Sequence, residues 1–360
     1  MLANKNILVT GGSGFIGSNF ILQMIISNSS WLNHKIINLD KLTYAGNTLN
    51  LRSVENNSQY EFIQGDIADR ALVSKILAIY QPFIIINFAA ETHVDRSIKD
   101  ASPFIDTNIV GTHNLLMEAL SYFNSLNLDS KNKFRFLHIS TDEVYGTLSE
   151  FDSPFEETTA FKPNSPYAAS KAASDHLVRA YFETYSLPTL ITNCSNNYGP
   201  YQFPEKLIPL CLFNALYGKP LPIYGDGSQI RDWLYVEDHC NAISVILDKG
   251  RVGETYNVGG RNEKTNLQVV NTLCGILDEL KPKSNGKSYK EQITFIKDRP
   301  GHDRRYAINA AKLECELGWV PQKTFETGLR TTVEWFLENQ DWVSSVVNGD
   351  YQQWVEKQYT

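Results

Sequence analysis

A run of strand character, Asn6-Ile7-Leu8-Val9-Thr10, leads straight into Gly11-Gly12-Ser13-Gly14-Phe15-Ile16-Gly17, and an apolar-periodic stretch follows to about Ser27. A buried strand, a glycine turn and a helix in that order leave few folds open to the chain. Gly11 permits a tight turn, Gly14 lets backbone approach a pyrophosphate, and Gly17 lets the helix sit close to the strand. The helix N-terminus then favours an anion. The spacing is G-x-x-G-x-x-G rather than the commoner dinucleotide form, so its weight comes from the strand before it and the helix after it.

The pattern continues as alternating strands and helices. A second strand, Lys35 to Leu39, ends at Asp40, about 20 residues beyond the glycines. A carboxylate there can accept from both ribose hydroxyls of NAD and repel a 2′-phosphate, so NAD is expected over NADP. Strands follow at Tyr60 to Gln64, before Gly65-Asp66, and at Phe83 to Phe88, before Ala89-Ala90-Glu91. Small residues at that second exit let a cofactor ring lie against backbone. A helix is expected from about Pro103 to Phe123, a strand from Phe134 to Ser140, a long helix from about Ser165 to Tyr185, and a strand over Thr189 to Cys194.

The expected fold is α/β, a Rossmann-type doubly wound parallel sheet with a smaller α/β substrate-binding lobe. Beyond Asn196 the elements shorten and prolines recur at 200, 204, 209, 220 and 222. This places an NAD-binding domain at 1–196, a helix near 237–249 returning to it, and a lobe at 197–360. With 360 residues, the chain is long enough for both.

Composition narrows the functional classes. A formal net charge of −7 repels a polyanion, so no nucleic-acid partner is expected. No apolar stretch approaches the roughly 18 residues that would cross a membrane, and no secretion signal is visible. Cys194, Cys211, Cys240, Cys274 and Cys315 show no C-x-x-C spacing and read as reduced core residues of a cytoplasmic protein. The histidines are too dispersed to suggest a metal, and His93 and His239 read as structural.

Chemistry concentrates at Ser140-Thr141-Asp142-Glu143, where a hydrophobic strand leaves the sheet. In open parallel sheets the ligand crevice lies beyond the carboxyl ends of the strands, although a Thr-Asp pair there also serves as a helix cap. Tyr167 and Lys171 stand four apart on the next helix and share a face. Free tyrosine is ionised in only about one molecule in a thousand at neutral pH, so a basic Tyr167 needs nearby cations, namely Lys171 and the nicotinamide. Asp142 and Glu143 cannot both ionise cheaply in a dry cleft, and the pair divides into proton donor and proton acceptor. A dehydrogenase does not need that division; elimination of water does.

Taken together, the glycine turn, Asp40-Lys41-Leu42-Thr43-Tyr44-Ala45-Gly46-Asn47, Glu91-Thr92-His93-Val94-Asp95-Arg96-Ser97, the Ser140 to Gly146 segment, Tyr167 with Lys171, and Asn196-Asn197-Tyr198-Gly199-Pro200 resemble the extended short-chain dehydrogenase/reductases. Within that family the chain is most similar to the nucleotide-sugar 4,6-dehydratases. The likeness runs on through Arg231-Asp232-Trp233 and Asp298-Arg299-Pro300-Gly301-His302-Asp303 to the tail around Trp354. Thr-Asp-Glu is the discriminating triplet, because the family's sugar 4-epimerases lack the carboxyl pair.

The resemblance implies a cycle on tightly held NAD, with dTDP-glucose as the expected substrate and a product feeding deoxysugar synthesis. Tyr167, aided by Lys171 and Thr141, takes the proton of the sugar's 4-hydroxyl as hydride leaves for NAD. Glu143 removes the proton at carbon 5, Asp142 protonates the departing 6-hydroxyl, and hydride returns to carbon 6. The cofactor would be held by Gly11, Gly14, Phe15, Ile16, Gly17, Asp40, Lys41, Leu42, Thr43, Asp66, Ile67, Phe88, Ala89, Ala90, Thr107, Tyr167, Lys171 and Asn197. Thr92, Thr141, Asn196, Lys206, Leu207, Pro222, Ile223, Tyr224, Arg231, Asn266, Arg299 and His302 would hold the nucleotide sugar. Arg231 and Arg299 suit a diphosphate clamp, because a guanidinium fork matches phosphate oxygens. A homodimer is implied, paired through the helices near Pro103 to Phe123 and Ser165 to Tyr185. The rival readings are a UDP-glucose 4,6-dehydratase, a sugar-nucleotide 4-epimerase and a non-catalytic NAD-binding regulator.

Overall fold

The computed structural model describes residues 6–26, 34–298 and 301–347. Its twelve strands are β1 (Asn6–Thr10), β2 (Lys35–Asp40), β3 (Tyr60–Gln64), β4 (Ile84–Asn87), β5 (Arg135–Thr141), β6 (Thr189–Cys194), β7 (Asn196–Tyr198), β8 (Leu221–Tyr224), β9 (Ile230–Tyr235), β10 (Thr255–Val258), β11 (Glu263–Thr265) and β12 (Ile293–Ile296). Seven form one sheet in the order β10-β6-β5-β4-β1-β2-β3, and every pair in it is parallel. The order reverses direction between β1 and β4, which opens a crevice above those two strands.

Alternation along each strand feeds two cores. Ile7 and Val9 of β1, Ile84 and Ile86 of β4, and Leu137 and Ile139 of β5 pack on one face, with Phe20, Ile21 and Met24 of the Phe15–Ile26 helix. Leu8, Ile85 and Phe136 face the other way, onto Val73, Leu115, Leu116 and Val178. Helices cover both faces, so these strands read as near-continuous apolar runs rather than as alternating ones.

The long helix is Pro166–Tyr185. Ser165 caps it, its Oγ accepting the Ala168 N–H at 3.1 Å, and proline occupies the first turn. The helix expected over 103–123 begins at Ser102 and ends at Ser125, but its stretch Ile105–Gly111 is π-helical. The widened turn buries Asn108, whose amide pairs with both backbone groups of Glu91, at 2.9 Å from N and 3.0 Å from O.

The lobe carries a three-stranded sheet, β11-β9-β7, and a pair, β12-β8. Its core gathers Tyr198, Leu212, Trp233, Leu273, Phe325 and Phe336. Between visits to the lobe the chain returns to the large sheet. The Val236–Lys249 helix packs on Phe15–Ile26, β10 pairs with β6, and Leu313, Leu317 and Trp319 join the first core. Four cysteines are buried, but Cys315 is exposed, because it sits on the outer side of the Ala311–Leu317 helix whose Leu313 and Leu317 face inward. No helix among the described residues is long and apolar enough to cross a membrane.

Candidate active site

One cavity of about 410 Å³ runs from the crevice above β1 and β4 to the lobe. Every described residue in the two ligand-binding sets lines it except Leu42. Arg299 and the tail around Trp354 lie outside the described residues. Leu42 acts through its backbone instead. In a left-handed conformation (φ 57°), it donates its N–H to Asp40 Oδ1 at 2.8 Å, while the Ser13 N–H donates to Oδ2 at 2.8 Å. These bonds fasten the glycine turn to the end of β2. Burial pushes the Asp40 carboxyl up, and the two backbone bonds oppose it. Each oxygen keeps a further lone pair for a hydroxyl.

The glycine turn fits a dinucleotide. Gly11 (φ 70°) passes so close to the chain leaving β4 that a Cβ would stand 2.6 Å from the Ala89 nitrogen. At Gly14 a Cβ would meet only the Gly11 carbonyl, at 3.3 Å, so its other side is open. NAD would be held by this cradle and by Asp40. Beside it, Lys41 Nζ pairs with Asp66 Oδ2 at 2.7 Å on the rim.

At the exit of β5, Thr141 ends the strand and caps a single 3₁₀ turn, Asp142–Tyr145. Its hydroxyl faces Asp142 Oδ1 at 3.4 Å and reaches the Tyr167 oxygen. Asp142 is 1% exposed, and its Oδ2 has no hydrogen-bond partner among the described residues. Burial pushes this carboxyl well above the usual range; Glu143 and Asp232 add to the rise, and Arg231 opposes it. Glu143 next door is only half-buried. Two adjacent carboxyls therefore differ, burial favouring the protonated form of the deeper one.

Burial also pushes the Tyr167 hydroxyl well up, and Glu143 adds to it; the Thr141 hydrogen bond opposes. This departs from the depression expected of Lys171. The Lys171 ammonium is turned to the Ile139 carbonyl, 2.8 Å away, and to His138 Nε2 at 3.3 Å. The protein groups alone hold Tyr167 protonated, and the positive charge of NAD would be the opposing influence.

Arg231 is 6% exposed and rigidly held. Nη1 donates to the Ile230 carbonyl at 2.7 Å, Nη2 to Asp303 O at 3.0 Å, and Cζ lies 4.2 Å from the centre of the Tyr306 ring. Lys206 Nζ bridges the seam to the Thr92 carbonyl at 3.1 Å, and His302 Nδ1 meets Asp298 Oδ1 at 2.6 Å. Asn196 Oδ1 is another buried acceptor without a partner among the described residues.

Sequence reasoning passed over Tyr306, Cys194 and Glu205, which also line the cavity. Glu205 lies under Arg96, whose Nε is 3.2 Å away. Its place directly before Lys206 was the available signal. His93 caps the Val94–Lys99 helix through Nδ1, and His239 Nδ1 meets Asn197 Oδ1 at 2.9 Å.

Comparison with known proteins gives a concordant set of likenesses. The family profile described as GDP-mannose 4,6 dehydratase matches residues 8–332. Over 361 residues the chain is 57% identical to a dTDP-glucose 4,6-dehydratase of Salmonella typhimurium, covering 98% of each. Among solved structures, a Bacillus anthracis dTDP-glucose 4,6-dehydratase in complex with NAD is 47% identical, with a TM-score of 0.83 over 95% of this chain and 99% of that one. A Streptomyces venezuelae dTDP-glucose 4,6-dehydratase with NAD and dTDP bound is 44% identical, with a TM-score of 0.83 over 94% and 98%.

Proposed function

The chain belongs to the dTDP-glucose 4,6-dehydratases of the extended short-chain dehydrogenase/reductase family, and on that premise we propose how its residues divide the work. It is an NAD-dependent hydro-lyase that turns dTDP-glucose into dTDP-4-keto-6-deoxyglucose and water. NAD, when bound, supplies the redox half of the chemistry, accepting electrons from carbon 4 and returning them at carbon 6.

The chain's own residues handle protons. Tyr167, with Thr141 bonded to its oxygen, takes the proton of the 4-hydroxyl. The resulting ketone makes the hydrogen on carbon 5 acidic, and Glu143, the more exposed carboxyl, takes it. Asp142, kept protonated by burial, delivers its proton to the departing 6-hydroxyl. Arg231 would hold a phosphate oxygen of the nucleotide, with Arg299 as its partner in a clamp. The observation that carries this reading is the buried, unpartnered Oδ2 of Asp142 in the same cavity as Tyr167. Incubation with dTDP-glucose and with UDP-glucose, read by mass spectrometry for loss of one water, tests it. Loss from UDP-glucose alone would overturn the choice of base, and a galactose product would make the enzyme an epimerase.

Residues 6–195, with the returning segments 236–258 and 311–319, would constitute the NAD-binding domain, and the other described residues the nucleotide-sugar lobe. The protein pairs as a homodimer through the 102–125 segment and the Pro166–Tyr185 helix. Ile105 and Val110, which are 48% and 44% exposed on the first of these, support that pairing, and light scattering would measure it. A cytoplasmic location is part of the same reading, supported by five cysteines that are all free.

A further inference from the structure

Behind Tyr167, Lys171 sits in a buried polar network whose other members no step above uses. Lys171, His138 and Asp175 are 3%, 0% and 2% exposed. His138 Nε2 stands 3.3 Å from Lys171 Nζ, 3.3 Å from Ser174 Oγ and 3.5 Å from Asp175 Oδ1. On the other side of the ring, Nδ1 is 3.2 Å from Asn87 Nδ2. The Thr10 hydroxyl donates to Asn87 Oδ1 at 2.6 Å and so fixes which end of that amide faces the ring. Asn87 Nδ2 can only donate, so His138 Nδ1 accepts and the ring proton sits on Nε2. Ser174 gives its own hydrogen to the Lys171 carbonyl at 2.8 Å and is left to accept from the ring.

His138 is therefore neutral, and it cannot balance the ammonium beside it. A buried ammonium that donates to the Ile139 carbonyl needs a negative charge nearby. Asp175 stands one helical turn from Lys171 on the same helix, which brings the two to one face. Its Oδ2 is fixed by Ser140 Oγ at 2.8 Å and Asn193 Nδ2 at 3.0 Å, while Oδ1 meets only the ring.

We propose that Asp175 is the counter-ion of Lys171, that His138 is the neutral wedge fixing where the ammonium sits, and that both are positioning residues for proton removal by Tyr167. The proposal rests on the reading of Tyr167 as the base. Burial lifts the Asp175 carboxyl to about 6 against the pull of Lys171, so it is ionised at neutral pH. Burial lowers Lys171, and Asp175 opposes that fall. The remaining titratable groups that feel the pair are Cys194 of β6 and Tyr145 of the turn after β5, both held protonated by burial.

Asp175→Asn tests this in the NAD-loaded enzyme. The amide oxygen can keep the Ser140 and Asn193 bonds, while the charge is lost. The expected result is a kcat lowered about tenfold at neutral pH, an alkaline limb of kcat moved down by about one pH unit as Lys171 sheds its proton earlier, and an unchanged KM. Should that variant fail to fold, His138→Gln, neutral for neutral, carries the same test, with a lowered kcat at unchanged KM and NAD content. An alkaline limb left in place in Asp175→Asn, a kcat equal to wild type, or a loss residing in KM would overturn the proposal. Failure of the underlying reading shows separately, as oxidation retained by Tyr167→Phe.

Discussion

Thr141 Oγ1 accepts the Glu143 backbone N–H at 3.3 Å, and this bond sets the turn that carries the Asp142 and Glu143 carboxyls. The 3₁₀ turn it caps keeps Asp142 under the chain, at 1% exposure, and leaves Glu143 half-buried. One carboxyl is dried and the other is not, so a single cap gives the two neighbours the different surroundings that the proposed acid and base require.

Glu143→Gln should remove the carbon-5 base and nothing earlier. Reduced cofactor is expected to accumulate without keto-sugar, visible by absorbance during a single turnover, with elimination slowed about 10²- to 10⁴-fold. Dehydration at the wild-type rate would take the role away from Glu143.

Asp142→Asn deletes the proposed proton donor. Elimination should slow about 10²- to 10⁴-fold while the first oxidation persists. The pH dependence has a definite sign. Because burial raises the folded carboxyl well above its ordinary value, its contribution to stability is full below that ordinary value and is lost as pH rises through the raised one. The variant is thus expected to melt no earlier than wild type at pH 8, while its advantage vanishes at acid pH. A lower melting temperature at pH 8 would mean that Asp142 stabilises the fold instead.

Tyr167→Phe keeps the ring, which lies edge-on to Phe104 at 6.3 Å between centroids, and removes only the hydroxyl. Folding and NAD content should be preserved and cofactor reduction by dTDP-glucose lost by about 10²-fold or more. Stopped-flow absorbance decides it; retained reduction would shift the base elsewhere.

Gly17→Ala examines the cofactor cradle. A Cβ there would stand 2.5 Å from the Gly11 carbonyl and 2.8 Å from the Gly12 Cα, both backbone atoms that cannot rotate aside. Overpacking of this kind costs about 1–3 kcal/mol, so a lower melting temperature and poorer NAD retention are expected together. Unchanged values of both would show that the turn has slack.

Much of this was legible in the chain, for particular reasons. Gly11 to Gly17, Asp40 and the Thr141 triplet sit next to strong strand and helix signals, and local pattern fixes their neighbours. The bond Leu42 makes was not legible, because it is a backbone N–H in a left-handed turn, which the side chain does not advertise. β10 went unseen because Thr-Tyr-Asn-Val is short, half polar and paired with a strand some 60 residues earlier in the chain. His138 hid inside an apolar strand, where a spacing argument reads another core position. Cys315 followed helix phase rather than residue type. The rise of Tyr167 depends on total burial, a property of the assembled tertiary structure rather than of any short segment.

β10 reaches the rim of the large sheet only after the backbone has passed through the lobe, so the two halves are stitched together rather than strung in series. Swapping the lobe for another would require a graft at several matched seams, because severing the chain once would strip β6 of its outer neighbour. Any clamping of one half over a ligand must also flex several backbone connections at once.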